Sequence, residues 1–424
     1  MTTHTHHPPE SRSAVGGSPG FGAGPRIVMY TPEFAADPHQ AYGQMRKKFG
    51  SLVPVDLAPG VPATLVIGYY TAVRILTDPD HFPADPRAWE RNVPAECPVL
   101  AMMRRRENAL RTDGQEHKRY REPTSAALND VDLLGMHAVI EQIAIPLINK
   151  FCADGQADVL QRYVFPLVFT AVNTMLGVDS DVGARIAAAM DAMFDAGAEI
   201  DAGDRMLHEA LRLHIDRKRE APGDDITTRL MRHPSGLTDE EVIQQLVTYY
   251  AVGVEPLVHL IGNALRLMLT DDRFAAGMHS GSLSTRDALD EVLFTDPPLA
   301  NYCISYPRQP ILLNGVWLPA HQPVVISMAA CNSDPTVNAV DGVERDGNRS
   351  HLAFSAGPHM CPAQDAAYLI AQDAIDQLLD ALPEIELAVP AAELGWRTGP
   401  FHRALTALPV VFPKSAPFPE FPPP

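Results

Sequence analysis

Near its C-terminal end the chain reads HLAFSAGPHMCPAQDAA over residues 351–367, and the side chain there with most chemistry to offer is Cys361. It stands two residues after His359 and four after Gly357, and Pro362 follows it where a helical pattern begins. Proline is favoured at the first helical position, because its missing N–H would be unpaired there anyway. A sulfur at a helix N-terminus feels the positive end of the helix dipole, so its thiolate is stabilised and its pKa is expected to fall. Cys361 is therefore a candidate metal ligand or nucleophile. Gly357 permits a turn or a close approach that a side chain would block, and Phe354 offers a flat apolar wall. The other cysteines, Cys97, Cys152, Cys303 and Cys331, are scattered and form no C-x-x-C pair, so they read as small buried hydrophobes rather than disulfides or zinc ligands.

The elements that must hold this cysteine are mostly helical. Residues 138–155, 186–199, 238–269 and 366–383 carry apolar side chains at helical spacing, and the third, long and mostly apolar, is expected to cross the middle of the fold. Strand-like pieces at 63–68, 311–318, 323–328 and 408–412 are few and short. The fold class that follows is mainly α with a small β-rich part.

At 424 residues the chain exceeds the roughly 250–300 at which single cores usually split, so it holds two domains or one large domain filled by a cofactor. The Gly-, Pro-, Ser- and His-rich residues 1–26 are expected to be a disordered tail in which His4, His6 and His7 could catch a metal, and 415–424 a Pro-rich tail. No apolar run is long enough to span a bilayer and no signal-peptide order is seen, which predicts a cytoplasmic protein without membrane insertion. A net charge of −18 argues against a nucleic-acid binder. One segment runs against that charge: residues 102–121 carry Arg104, Arg105, Arg106, Arg111, Lys118, Arg119 and Arg121 against three acidic residues, either a solvated face or a docking site for an anionic partner or cofactor.

The stretch from Phe354 to Ala363 resembles the haem-binding loop of the cytochromes P-450, F-G-x-G-x-H-x-C-x-G in bacterial members, with Ser355 and Ala363 where that pattern has glycine. The resemblance implies Cys361 as axial ligand of a haem b iron and His359 on a haem propionate. Three more segments agree in order. DGQEHKRYR (113–121) is similar to D-P-P-E-H-x-R-x-R and would place His117 and Arg121, one helical face at i and i+4, on a propionate. Residues 314–335 are similar to the strand pair and N-x-D-P turn that precede the cysteine loop, and 403–412 to the closing R-G-L-x-x-L-P-V strand. The implied architecture is a single haem domain over 27–414, with the haem between the long central helix and the helix after the cysteine loop.

Three departures from the family pattern bear on function. Where its central helix carries A-G-x-E/D-T, this chain has Val252-Gly253-Val254-Glu255-Pro256: Gly253 still lets the helix pass close to a haem face and Glu255 could relay protons, whereas Pro256 brings no hydroxyl and kinks the helix. Glu255 and Pro256 are thus the candidate catalytic positions. The E-x-x-R motif reads Glu291-Val-Leu-Phe294 and lacks its arginine, and Arg345 or Arg349 is expected to turn toward Glu291 unless Glu291 faces solvent. The propionate arginine expected near Ile304 or Ser305 is also missing, with Arg308 the nearest cation. These departures resemble an atypical actinobacterial subgroup that lacks E-x-x-R.

The implied function is a soluble haem-thiolate monooxygenase that takes electrons from ferredoxin and ferredoxin reductase. The donor would dock on the basic segment, and a small, largely apolar substrate would lie below Val252–Pro256 and near residues 85–108. Two alternatives keep the haem: a peroxide-driven or orphan catalyst, and a non-catalytic haem-binding partner protein.

Overall fold

The computed structural model describes residues 24–194, 200–275, 283–337 and 348–419. Expectations placed on residues 1–23, on 420–424 and on Arg345 lie outside the described residues. Arg26 Nη1 donates to the carbonyls of Val55 and Ala63 at 3.3 and 3.2 Å. At the other end the Asn149 side chain clasps Phe418, donating to its carbonyl at 3.0 Å and accepting from its N–H at 2.7 Å.

A five-stranded sheet runs in the order β1-β2-β3-β8-β5, formed by Ile27–Val28, Leu52–Ala58, Val61–Val66, Val324–Ser327 and Asn301–Ser305. β2 and β5 carry no clear strand signal, because almost every residue is buried and no alternation of apolar and polar positions appears. A three-stranded sheet joins β4 (Gln156–Asp158), β10 (Pro409–Val411) and β9 (Glu386–Leu387). The expected strand over 311–318 is a hairpin of β6 (Ile311–Leu313) and β7 (Val316–Leu318). Asn314 and Gly315 turn it, both at positive φ (49° and 80°), the pairing a tight hairpin favours.

The helices that matter for the site are α1 (Tyr69–Leu76), α2 (Gly114–Asn129), α3 (Leu133–Asn149), α4 (Phe165–Leu176), α5 (Ser180–Phe194), α6 (Ile200–Glu220), α7 (Asp239–Tyr249), α8 (Glu255–Met268), α9 (Thr285–Thr295) and α10 (Gln364–Ala381). Capping boxes start two of them, Thr238 with Glu241 at α7 and Ser284 with Asp287 at α9. The long central helix is present, but its irregularity precedes the proline: Tyr250–Val254 form a π turn between α7 and α8. Pro256 then falls in the first turn of α8, where a missing N–H costs little, so it starts the second half rather than kinking a continuous helix.

Two hydrophobic cores result, one among the helices and one around the five-stranded sheet. A buried ion pair ties them: Arg403 Nε donates to Asp296 Oδ1 at 3.0 Å and Arg403 Nη1 to the Ala35 carbonyl at 2.6 Å, with Trp396 stacked on the guanidinium. His39 reaches the same carboxylate at 3.0 Å and Arg266 at 3.3 Å. Among the described residues no single helix is long and apolar enough to cross a membrane.

Burial would raise the Asp296 carboxyl, but the hydrogen bond from His39 and the charges of Arg403 and Arg266 hold it at about 2. Burial also pushes the Arg403 guanidinium down, so the gain from pairing sits on the carboxylate side. Asp296→Asn, measured by urea unfolding at pH 7, is expected to cost about 3–5 kcal/mol, because it strands a buried cation. Because the folded carboxyl titrates below the unfolded one, its contribution is complete above about pH 4 and lost as pH falls through about 2. The gap between wild type and variant should therefore narrow at pH 3.

Candidate functional site

The cysteine loop is pinned from three sides. Cys361 N–H donates to the Phe354 carbonyl at 2.8 Å and Met360 N–H to the Gly357 carbonyl at 3.1 Å, closing the loop on itself. Asn332, from the N-S-D-P turn, accepts from Leu352 N–H at 2.8 Å and donates to the Leu293 carbonyl of α9 at 2.9 Å. Gly357 sits at φ 69° against α1, where a Cβ would stand 2.2 Å from the Leu76 carbonyl oxygen. Ser355, in place of a motif glycine, adopts the same left-handed region at φ 63°.

The helix after the loop starts later than expected. α10 begins at Gln364 with Ala363 as its N-cap, so Cys361 lies outside the first turn and Pro362 is not its first residue. The thiol accordingly does not acquire the lowered pKa anticipated from a helix dipole: burial pushes it up, and the Ala363 N–H and the Arg121 charge, which pull the other way, do not outweigh that.

α2 brings its two predicted residues to this loop. His117 presents Nδ1 to the Ala109 carbonyl at 2.9 Å and Nε2 to the Pro358 carbonyl at 3.2 Å, and its ring lies 4.1 Å from that of His359. Arg121 Nη2 donates to the Met360 carbonyl at 2.5 Å. Burial lowers both imidazoles, that of His359 to about 3 with help from His117 and Arg121. At neutral pH each ring is uncharged, with a single N–H to donate.

Cys361, His359, Phe354, Ala363 and Arg121 line one side of a cavity of about 250 Å³ where the two cores meet. Val252, Gly253, Pro256 and Leu257 line it from the central helix, and a Cβ on Gly253 would meet nothing within 4 Å. Open space therefore lies between this helix and the cysteine loop. Thr248 and Tyr249, unremarked in the sequence, add hydroxyl-bearing side chains to the lining; only helical phase could have exposed them. Ala109 and Leu110 line the cavity next to the segment 85–108, none of whose residues does.

Glu255 does not join this lining. Its carboxylate pairs with Arg397 and approaches His259 Nε2 at 3.7 Å. Burial would raise it, but His259, His402 and Arg397 together hold it at about 2, so it is ionised.

The missing E-x-x-R arginine is replaced by packing. Phe294 is buried and meets His351 edge-on at 5.3 Å, and His351 in turn packs on Phe354 of the cysteine loop at 5.8 Å. Arg349 does not turn to Glu291 but to its neighbour Asp290, Nε to Oδ2 at 3.2 Å, where Tyr368 also donates. Arg349 thus forms its ion pair one residue before Glu291 on α9, and Phe294, at the arginine's position, joins an aromatic cluster.

The basic segment is not a free patch. Arg104 and Arg106 both pair with Asp204 of α6 at 3.4 Å, Arg105 with Glu116 and Arg119 with Glu241. These pairs tie the loop before α2 to other helices, which leaves Lys118 as the exposed cation of the group.

No protein-family model matches the chain. It is 29% identical over 392 residues to the cytochrome P450 monooxygenase PikC of Streptomyces venezuelae, spanning 89% of this chain and 92% of PikC. Among solved structures, CYP154C4 from Streptomyces sp. ATCC 11861 superposes with a TM-score of 0.83 at 26% identity, covering 93% of this chain and all (100%) of that one. Myxobacterial cytochrome P450 CYP267B1 in complex with myristic acid superposes at 0.79 and 25% identity, over 90% of this chain and 98% of its own.

Two glycines separate backbone strain from steric fit. Gly60, at φ 73° with open space around its Cβ position, should lose about 1 kcal/mol on substitution by alanine. Gly357→Ala should lose roughly 1–3 kcal/mol more, because the added methyl must displace the Leu76 backbone. Urea unfolding of the two variants checks the difference.

Proposed function

The chain belongs to the cytochrome P-450 family of monooxygenases, and from that premise we propose that it binds haem b through Cys361 and oxidises a small, largely apolar substrate in the cytoplasm. The observation that carries the reading is the meeting of Cys361, His359, His117 and Arg121 on one side of a cavity whose opposite wall is left open at Gly253. A flat dicarboxylate-bearing group fits that arrangement: a cysteine sulfur on one side, open space at Gly253 on the other, and hydrogen-bond donors at an edge. When bound, a thiolate-ligated haem supplies dioxygen activation and insertion of one oxygen atom into a substrate bond.

The protein's own residues do the rest. His117, His359 and Arg121 would donate to the propionates, His117 and Arg121 giving up carbonyl contacts that they now make within the chain. The Ala363 N–H at the Cys361 sulfur would moderate the charge on the thiolate. Val172, Met175, Leu257 and Leu260 give the cavity an apolar side that suits a hydrocarbon-rich substrate and excludes water. An acidic ferredoxin would meet the face where Met360 is 45% exposed beside the cysteine and Lys118 is exposed on α2.

One observation favours a second reading, in which peroxide replaces dioxygen and electrons. Pro256 lines the cavity where a threonine hydroxyl would assist proton delivery, and the neighbouring Glu255 is committed to Arg397.

Cys361→Ala, reconstituted with haem, should lose substrate oxidation with both ferredoxin and peroxide while keeping its helical circular dichroism. Retained oxidation would reject the thiolate assignment. In Pro256→Thr, the share of NADPH consumption recovered as oxidised product should rise severalfold over wild type with a ferredoxin system. An unchanged share would reject the missing hydroxyl as the cause of poor coupling.

A further inference from the structure

Two arginines are buried among the described residues, and they differ in one respect. Arg403 has Asp296 as its counter-ion. Arg111, 3% exposed, has no carboxylate within ion-pair reach among the described residues. Its side-chain hydrogen bonds both come from Nη2, to the Tyr302 hydroxyl and the Met102 carbonyl, and its guanidinium lies 5.2 Å from the Tyr302 ring centre. A buried cation held by a phenol and a carbonyl is uncompensated, and an uncompensated buried charge costs several kcal/mol unless an anion arrives.

The location says which anion. Tyr302, which holds the Arg111 guanidinium, lines the cavity, as do Cys303 and Leu110, the residue before Arg111. β5, the strand from which the sequence led us to expect a propionate-binding arginine, offers only Ile304, apolar and buried, and Ser305, whose buried Oγ has no partner among the described residues. Arg308 is no substitute, since it is 68% exposed and sits 3.8 Å from Asp113. Arg121, which lines the cavity, also has no carboxylate partner among the described residues. Two guanidiniums without carboxylate partners among the described residues make a charge of +2, the complement of a dicarboxylate.

We propose that Arg111, delivered by the loop before α2, supplies the cation that β5 lacks and binds a carboxylate at the cofactor's edge, so that Arg111 and Arg121 together neutralise the two haem propionates. This rests on the haem reading above. A guanidinium already buried and oriented by Tyr302 loses little entropy on binding a carboxylate, and its Nε and Nη1 make no other hydrogen bond among the described residues.

The test measures haem loss from the holoprotein to excess apomyoglobin, for wild type, Arg111→Gln and Arg111→Lys, each loaded with ordinary haem or with haem dimethyl ester. With ordinary haem, Arg111→Gln should release the cofactor roughly ten- to a hundredfold faster than wild type, the worth of one charged hydrogen bond, and Arg111→Lys should fall between. With the ester, which has no carboxylate to bind, the three proteins should release it at similar rates. Equal acceleration for both haems would assign Arg111 a purely structural role and overturn the proposal, as would an unchanged rate in Arg111→Gln. A wild-type protein that takes up no haem would overturn the haem reading itself, an outcome distinct from either.

Discussion

The geometry of the site depends on how closely the cysteine loop approaches α1. Gly357 stands where any Cβ would meet the Leu76 carbonyl oxygen at 2.2 Å, and the loop closes behind it through the hydrogen bond from Cys361 N–H to the Phe354 carbonyl. With the backbone held there, Asn332 can span from Leu352 to the end of α9, and Met360 and Pro358 offer their carbonyls to Arg121 and His117. Cys361 reaches the cavity as the end of this chain of constraints. Packing, rather than a helix dipole, sets its position, and burial rather than the dipole dominates its acidity.

A second constraint is electrostatic. The chain carries a net charge of −18, yet it sets Arg121 on the lining of a largely apolar cavity and Arg111 against the lining residue Tyr302 without giving either a carboxylate partner among the described residues. Elsewhere it balances its buried charge, as with Arg403 and Asp296, or Glu255 with Arg397. Leaving two guanidiniums unbalanced at one place is costly for a protein alone, and becomes favourable when a dianion occupies the space. At α9, where the E-x-x-R arginine is missing, Phe294 packs on His351 and Arg349 pairs with Asp290.

What could be read from the sequence was what is local. Cys361, His359 and Gly357 share one short loop, and His117 and Arg121 share a helical face, so their convergence followed from motif and period together. What escaped depends on contacts distant in sequence. Arg111 is buried because Tyr302, 191 residues away, receives it, and nothing near residue 111 announces that. The arginines at 104–106 looked like a docking patch until Asp204, about a hundred residues on, was seen to hold two of them. The π turn at Tyr250–Val254 was hidden because an apolar central helix keeps its pattern through one widened turn.

The most direct measurement of the central claim is the optical spectrum of the haem-reconstituted, dithionite-reduced protein under carbon monoxide. A thiolate from Cys361 on the iron predicts the long-wavelength Soret band of a thiolate-ligated carbonyl complex, absent in Cys361→Ala. A short-wavelength band of the kind given by histidine ligation, unchanged by the substitution, would contradict it.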